Sequence, residues 1–120
     1  MASTHVTTLT LNLDRIRENL SVVRSHLKNE GGVAPGIMAV IKGFGYGTDD
    51  TALAKVYAEE GVDYLAVAYV EEGIQLRKGG LKCQILILGN LINAEELYSS
   101  FIWNLIPTIS GIREAIICNN

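Results

Sequence analysis

Ile37-Met38-Ala39-Val40-Ile41-Lys42-Gly43-Phe44-Gly45-Tyr46-Gly47-Thr48-Asp49 sets an unbroken apolar run directly against a lysine and three alternating glycines. A short run that is apolar at every position buries both of its faces, as a strand does in a parallel sheet covered by helices. The design returns at Tyr64 to Val70, at Ile85 to Leu88 and, less cleanly, at Ile102 to Ile109. Helical patterns lie between the runs: Thr51 to Glu60 with Leu53, Val56 and Tyr57, Glu71 to Lys78 with Ile74 and Leu76, and Ala94 to Ser100 with Leu97 and Tyr98. The runs begin at 37, 64, 85 and 102, so each strand-plus-helix unit takes 17 to 27 residues. Strands joined in this way are parallel with right-handed crossovers.

The fourth unit runs into Gly111 to Ile117, a helix that begins and then stops. A closed eight-stranded barrel needs roughly 250 residues. The 120 residues therefore predict an α/β fold, either a small open sheet or parallel (βα) units forming about the first half of a TIM-type barrel. The stop inside a helix favours the half barrel, a single truncated domain over residues 1–120. Upstream, Leu9, Leu11 and Leu13 alternate with Thr8, Thr10 and Asn12, which predicts an extra N-terminal strand over Thr7 to Leu13. Asp14 then stands where a helix N-cap belongs, ahead of the stripe Ile16, Leu20, Val23 and Leu27, and Asn29-Glu30-Gly31-Gly32 ends that helix.

Composition narrows the function. The chain is 48% hydrophobic with a mean hydropathy of +0.23, too apolar to be disordered. Its net charge of −3 and the absence of a basic run exclude the phosphate-neutralising patch of a nucleic-acid binder. Cys83 and Cys118 are too few for a disulfide framework or a zinc site. No apolar run approaches the ~20 residues of a membrane span, and the first residues lack a signal design. These readings predict a cytoplasmic protein with no nucleic-acid or membrane partner.

The chemistry concentrates after the first apolar run. A lysine at the C-terminal end of a strand leaves the core where α/β proteins build their sites. Burial there disfavours the ammonium form, and a neutral lysine attacks carbonyls and forms Schiff bases. Gly43, Gly45 and Gly47 allow close ligand approach and positive φ, and the Tyr46 hydroxyl suits an anionic oxygen such as a phosphate. Taken alone, a lysine after a strand is most often solvated and alternating glycines are an ordinary loop. A dinucleotide fingerprint begun at Gly43 would need its third glycine where Thr48 stands, and no Gly-Lys-Ser/Thr exists for a phosphate-binding Walker loop.

Other candidates are weaker. Glu71-Glu72 reads as a pair of carboxylates favouring a helix N-terminus rather than as an acid/base pair. His5 and His26 are too far apart in sequence to suggest a metal site, and Tyr98, Phe101 and Trp103 read as core or interface packing.

Val40-Ile41-Lys42-Gly43-Phe44-Gly45-Tyr46-Gly47 resembles the pyridoxal-phosphate lysine motif of the alanine racemases, in which Val-Lys is followed after three small or variable residues by Tyr-Gly. The likeness extends to Leu11-Asn12-Leu13-Asp14 through Asn19-Leu20, to Leu65 through Gly73 with Leu76-Arg77, and to Ile85-Leu86-Ile87-Leu88-Gly89. The chain departs from the pattern in placing Ile41 before the lysine, Gly-Phe-Gly before Tyr46, and Thr48-Asp49 after Gly47.

The resemblance implies that Lys42 bonds pyridoxal 5'-phosphate and serves as base on one face of the amino acid. It also implies that Tyr46 hydrogen-bonds the cofactor phosphate and that Leu88 packs against the pyridine ring. It implies a cytoplasmic homodimer interconverting L- and D-alanine for peptidoglycan precursors. The family's second acid/base, a tyrosine on the partner subunit's β-rich C-terminal domain, is expected beyond residue 120. The alternatives are another barrel-type pyridoxal-phosphate protein (an amino-acid decarboxylase or a cofactor-homeostasis protein), an inactive structural fragment, or a flavodoxin-like regulatory module. The Lys-x-x-x-Tyr-Gly spacing argues against the first. A regulatory module needs acidic residues at strand ends, where Asp49-Asp50 and Asp63 do not fall.

Overall fold

Successive apolar runs pair with one another in chain order. In a computed structural model, which describes residues 7–27, 33–91 and 93–119, β1 (Met38–Val40), β2 (Tyr64–Val67), β3 (Ile85–Asn90) and β4 (Ile106–Thr108) form one sheet in the order β1-β2-β3-β4. Every neighbouring pair is parallel, in the registers Val40↔Ala66, Ala66↔Leu86 and Leu86↔Ile106. Helix α1 (Leu13–His26) precedes the sheet, and a single turn, α2 (Lys42–Gly47), follows β1. Helices α3 (Asp50–Glu59), α4 (Val70–Lys78), α5 (Ala94–Ile102) and α6 (Ile112–Cys118) complete the units. The expected parallel (βα) architecture is present.

The core lies between the sheet and its helices. Leu65 and Val67 of β2 and Ile85 and Ile87 of β3 are almost wholly buried, against Leu53 and Ala54 of α3, Val70 and Leu76 of α4 and Leu97 of α5. The opposite face is also apolar but is not covered: Met38, Val40, Tyr64 and Leu88 each keep more than a third of their surface open. Runs apolar on both sides suit the strands of a barrel wall, which packs helices outside and side chains inside; here the second face stays open.

Arg77, in the last turn of α4, stitches the far end of the sheet. Its guanidinium donates to the carbonyls of Leu81 and Cys83 at 2.7 and 2.8 Å, ahead of β3. It also reaches those of Trp103 and Asn104 at 3.1 and 2.8 Å, ahead of β4. Burial lowers the Arg77 pKa and raises that of the neighbouring Cys83 thiol. Trp103 packs against the core and lies under the Lys78 ammonium, 5.7 Å from its ring centre. Tyr98 and Phe101 stay exposed and line an apolar groove with Leu97 and Ile117.

Several expectations at the N-terminus are corrected. No strand forms over Thr7 to Leu13: residues 7–12 carry no ladder and Leu13 already opens α1. An alternating segment becomes a strand only when an edge accepts its backbone groups, and among the described residues β1 pairs with β2 alone. Leu9 is exposed, while Leu11 is half-buried against the core. Asn12, not Asp14, caps α1, its side-chain oxygen accepting the Arg15 N–H at 3.1 Å. Of the expected stripe only Leu20 is fully buried, and Val23 is exposed. Helix α1 is held on α3 partly by polar contacts: Arg17 reaches Glu59 and Glu60 at 2.7 and 2.8 Å, which raises its pKa, and Arg24 donates to the Glu60 carbonyl. Asn29 to Gly32 and His5 lie outside the described residues.

Candidate functional site

The lysine stands on a turn of reversed hand. Gly43, Phe44, Gly45 and Tyr46 all have φ between +53 and +64° with ψ of +40 to +50°, and Gly47 has φ +81°. Two i→i−4 bonds close this left-handed turn, Gly45 N–H to the Ile41 carbonyl and Thr48 N–H to that of Phe44. Left-handed helix costs an L-residue about 1–2 kcal/mol, and glycine far less. Glycine at three of the five positions leaves the full cost at Phe44 and Tyr46 alone. The turn is fixed from below, where Gly45 is buried against α3: a Cβ there would come within 2.8 Å of Leu53 and 3.0 Å of the Asp50 nitrogen. Asp49 caps α3 by accepting the Ala52 N–H at 2.9 Å.

The sheet register brings the expected residues to one edge. Val40, Ala66 and Leu86 are paired, and Lys42, just past the end of β1, and Leu88, near the end of β3, both follow that level toward the C-terminal edge. With β2 between them, strands β1 and β3 are about 10 Å apart at the usual strand spacing. Lys42, Tyr46 and Leu88 are all exposed there, and among the described residues Lys42 makes no ion pair. Gly43 and Gly47 have open space where a Cβ would sit.

A family profile described as the N-terminal domain of alanine racemase matches residues 11–119. The chain belongs to the alanine racemase family. It is 42% identical to an alanine racemase of Prochlorococcus marinus over 88% of this chain and 26% of the relative, and 39% identical to alanine racemase 2 of Bacillus subtilis over 86% and 24%. The alanine racemase of Clostridium difficile 630 superposes with a TM-score of 0.79 at 36% identity, over 89% of this chain and 28% of that one. The chain thus spans about a quarter of the length of the alanine racemases it matches.

The residues that resemble the alanine racemase lysine motif lie on the left-handed turn. An exposed amine, a phenol on the same turn, bare glycine backbone and an apolar residue two strands away fit a flat cofactor bearing an aldehyde and an anionic group. One participant was passed over by the sequence reading. Glu72, in the first turn of α4, does more than favour a helix end: its Oε1 accepts the Gly43 N–H at 2.7 Å. Its Oε2 accepts the N–H groups of Ala68 and Tyr69 at 2.7 and 3.0 Å. The helical spacing marks Glu72 as an N-terminal acid, but nothing local points to an amide 29 residues away. Among the described residues no group of acids, histidines or cysteines is arranged to hold a metal, and no helix is long and apolar enough to cross a membrane.

Proposed function

We propose that this chain carries the lysine side of a pyridoxal-phosphate site that racemises alanine, in a cytoplasmic homodimer supplying D-alanine for cell-wall precursors. The observation that carries the reading is the Lys42–Tyr46 turn at the C-terminal edge of a parallel sheet, in a chain of the alanine racemase family. When bound, the cofactor supplies an electron sink for the charge that develops at Cα as its proton leaves. Lys42 Nζ would hold the cofactor through its aldehyde carbon, and the same amine would take or return the Cα proton on one face of the amino acid. The Tyr46 hydroxyl donates to a phosphate oxygen. Leu88 gives the ring an apolar surface and keeps water from it.

The test is direct. The chain is mixed with pyridoxal phosphate, followed by absorbance near the visible edge, reduced with borohydride and mapped by mass spectrometry. The reading expects the reduced adduct at Lys42 and its loss in Lys42→Ala. An adduct confined to Lys28, Lys55, Lys78 or Lys82, or no adduct, would overturn it.

A further inference from the structure

Glu72 occupies the place where the β1–β2 ladder breaks. Ile41 N–H still bonds the Ala66 carbonyl at 2.9 Å, and the next parallel step would give Gly43 N–H to the Ala68 carbonyl. That carbonyl has swung to the other side, where it accepts Gly89 N–H at 3.0 Å, and Gly89 has no Cβ that would collide with it. Gly43 is left with no strand partner just as the chain enters its left-handed turn, and the carboxylate of Glu72 takes its place. An ordinary glutamate at the third helical position satisfies the N-cap amide and leaves its second oxygen to water. Here one oxygen caps α4 while the other reaches across to the residue after Lys42. The turn holds Phe44 and Tyr46 at positive φ, a conformation that persists only where surrounding contacts enforce it.

We infer that Glu72 is a positioning residue for Lys42, fixing the first amide of the left-handed turn so that the lysine leaves the sheet in one direction. The functional part of this inference rests on the proposed role of Lys42; the hydrogen bond itself does not. Two substitutions separate the duties of the carboxylate. Glu72→Asp, one methylene shorter, keeps an acid to cap α4 but cannot span to Gly43. Glu72→Gln keeps the length but replaces one accepting oxygen with an NH2 that faces N–H groups.

Amide hydrogen exchange by NMR and the rate of borohydride-trapped pyridoxal-phosphate labelling at Lys42 are measured on the 120-residue chain and both variants, alongside thermal unfolding. Glu72→Asp is expected to speed Gly43 exchange by about tenfold or more, the worth of a charged hydrogen bond. Ile87 exchange and the unfolding midpoint should change by no more than the loss of that one bond accounts for, and Lys42 labelling should slow by a similar factor. Glu72→Gln is expected to show the same two changes. Gly43 exchange unaltered in both variants overturns the inference, as does faster exchange with an unaltered Lys42 labelling rate. If Lys42 of the parent chain is not labelled at all, the cofactor reading fails and the positioning role fails with it. Gly43 exchange then still reports whether the hydrogen bond holds the turn, which tells the two failures apart.

Discussion

Gly43 and Gly45 differ in what surrounds them, although both lie at φ just above +60°. Alanine at position 43 meets no atom within 4 Å, so Gly43→Ala should cost only the left-handed penalty, about 1–2 kcal/mol. Alanine at position 45 adds a collision with Leu53 and the α3 backbone, and Gly45→Ala should cost roughly 2–4 kcal/mol. Urea unfolding of the two variants checks the order, and equal losses would show that α3 yields freely. The sequence displayed the alternation of glycines and, with it, positive φ. It did not display the hand of the turn as a continuous feature, because Phe44 and Tyr46 are residues that avoid that region when left to themselves.

Elements were legible to the extent that their pattern had one cause. The runs at 37–41, 64–70 and 85–88 have one cause, a strand with apolar residues on both faces, and each proved to hold a strand. The run from Ile102 to Ile109 blends two causes, the end of α5 and the start of β4, separated by Asn104 at φ +51°. The alternation at Thr7 to Leu13 has the period of a strand but joins neither free edge of the sheet, and pairing decides strands as much as pattern does. Nothing in the sequence marks the role of Arg77, since its four acceptors lie in two loops that only the fold brings together. A lysine there keeps the charge but loses the planar fork. Arg77→Lys should therefore destabilise by about 2 kcal/mol in chemical denaturation. Arg77→Ala should cost more and loosen the segments before β3 and β4 together, visible as faster exchange at Leu105 and Ile85.

At the scale of the whole molecule, one face of the sheet is packed and the other is open. Strands β1 and β4 each pair on one side only among the described residues, and Met38, Val40, Tyr64 and Leu88 present apolar surface on the uncovered face. Unpaired strand edges next to such surface recruit further strands. The 120-residue chain should self-associate, with a weight-average mass in sedimentation velocity that rises with concentration. Val40→Lys, which puts a charge on that face, should shift the population toward the single chain. A monomer at high concentration with both edges bare would contradict this.

Sheet order and chain order are the same, and this bears on how the chain is made. Each strand pairs with the strand one unit earlier, so no contact in the sheet has to wait for a distant part of the polypeptide. Loop closure between neighbours is short, and the structure can grow in one direction from its first unit. On a ribosome, where synthesis delivers the N-terminal units first, β2 emerges to an edge that β1 already offers, then β3 to that of β2, then β4 to that of β3. The lysine turn and the glutamate that grips it belong to the first two units, so this corner can assemble while the rest of the sheet is still being translated.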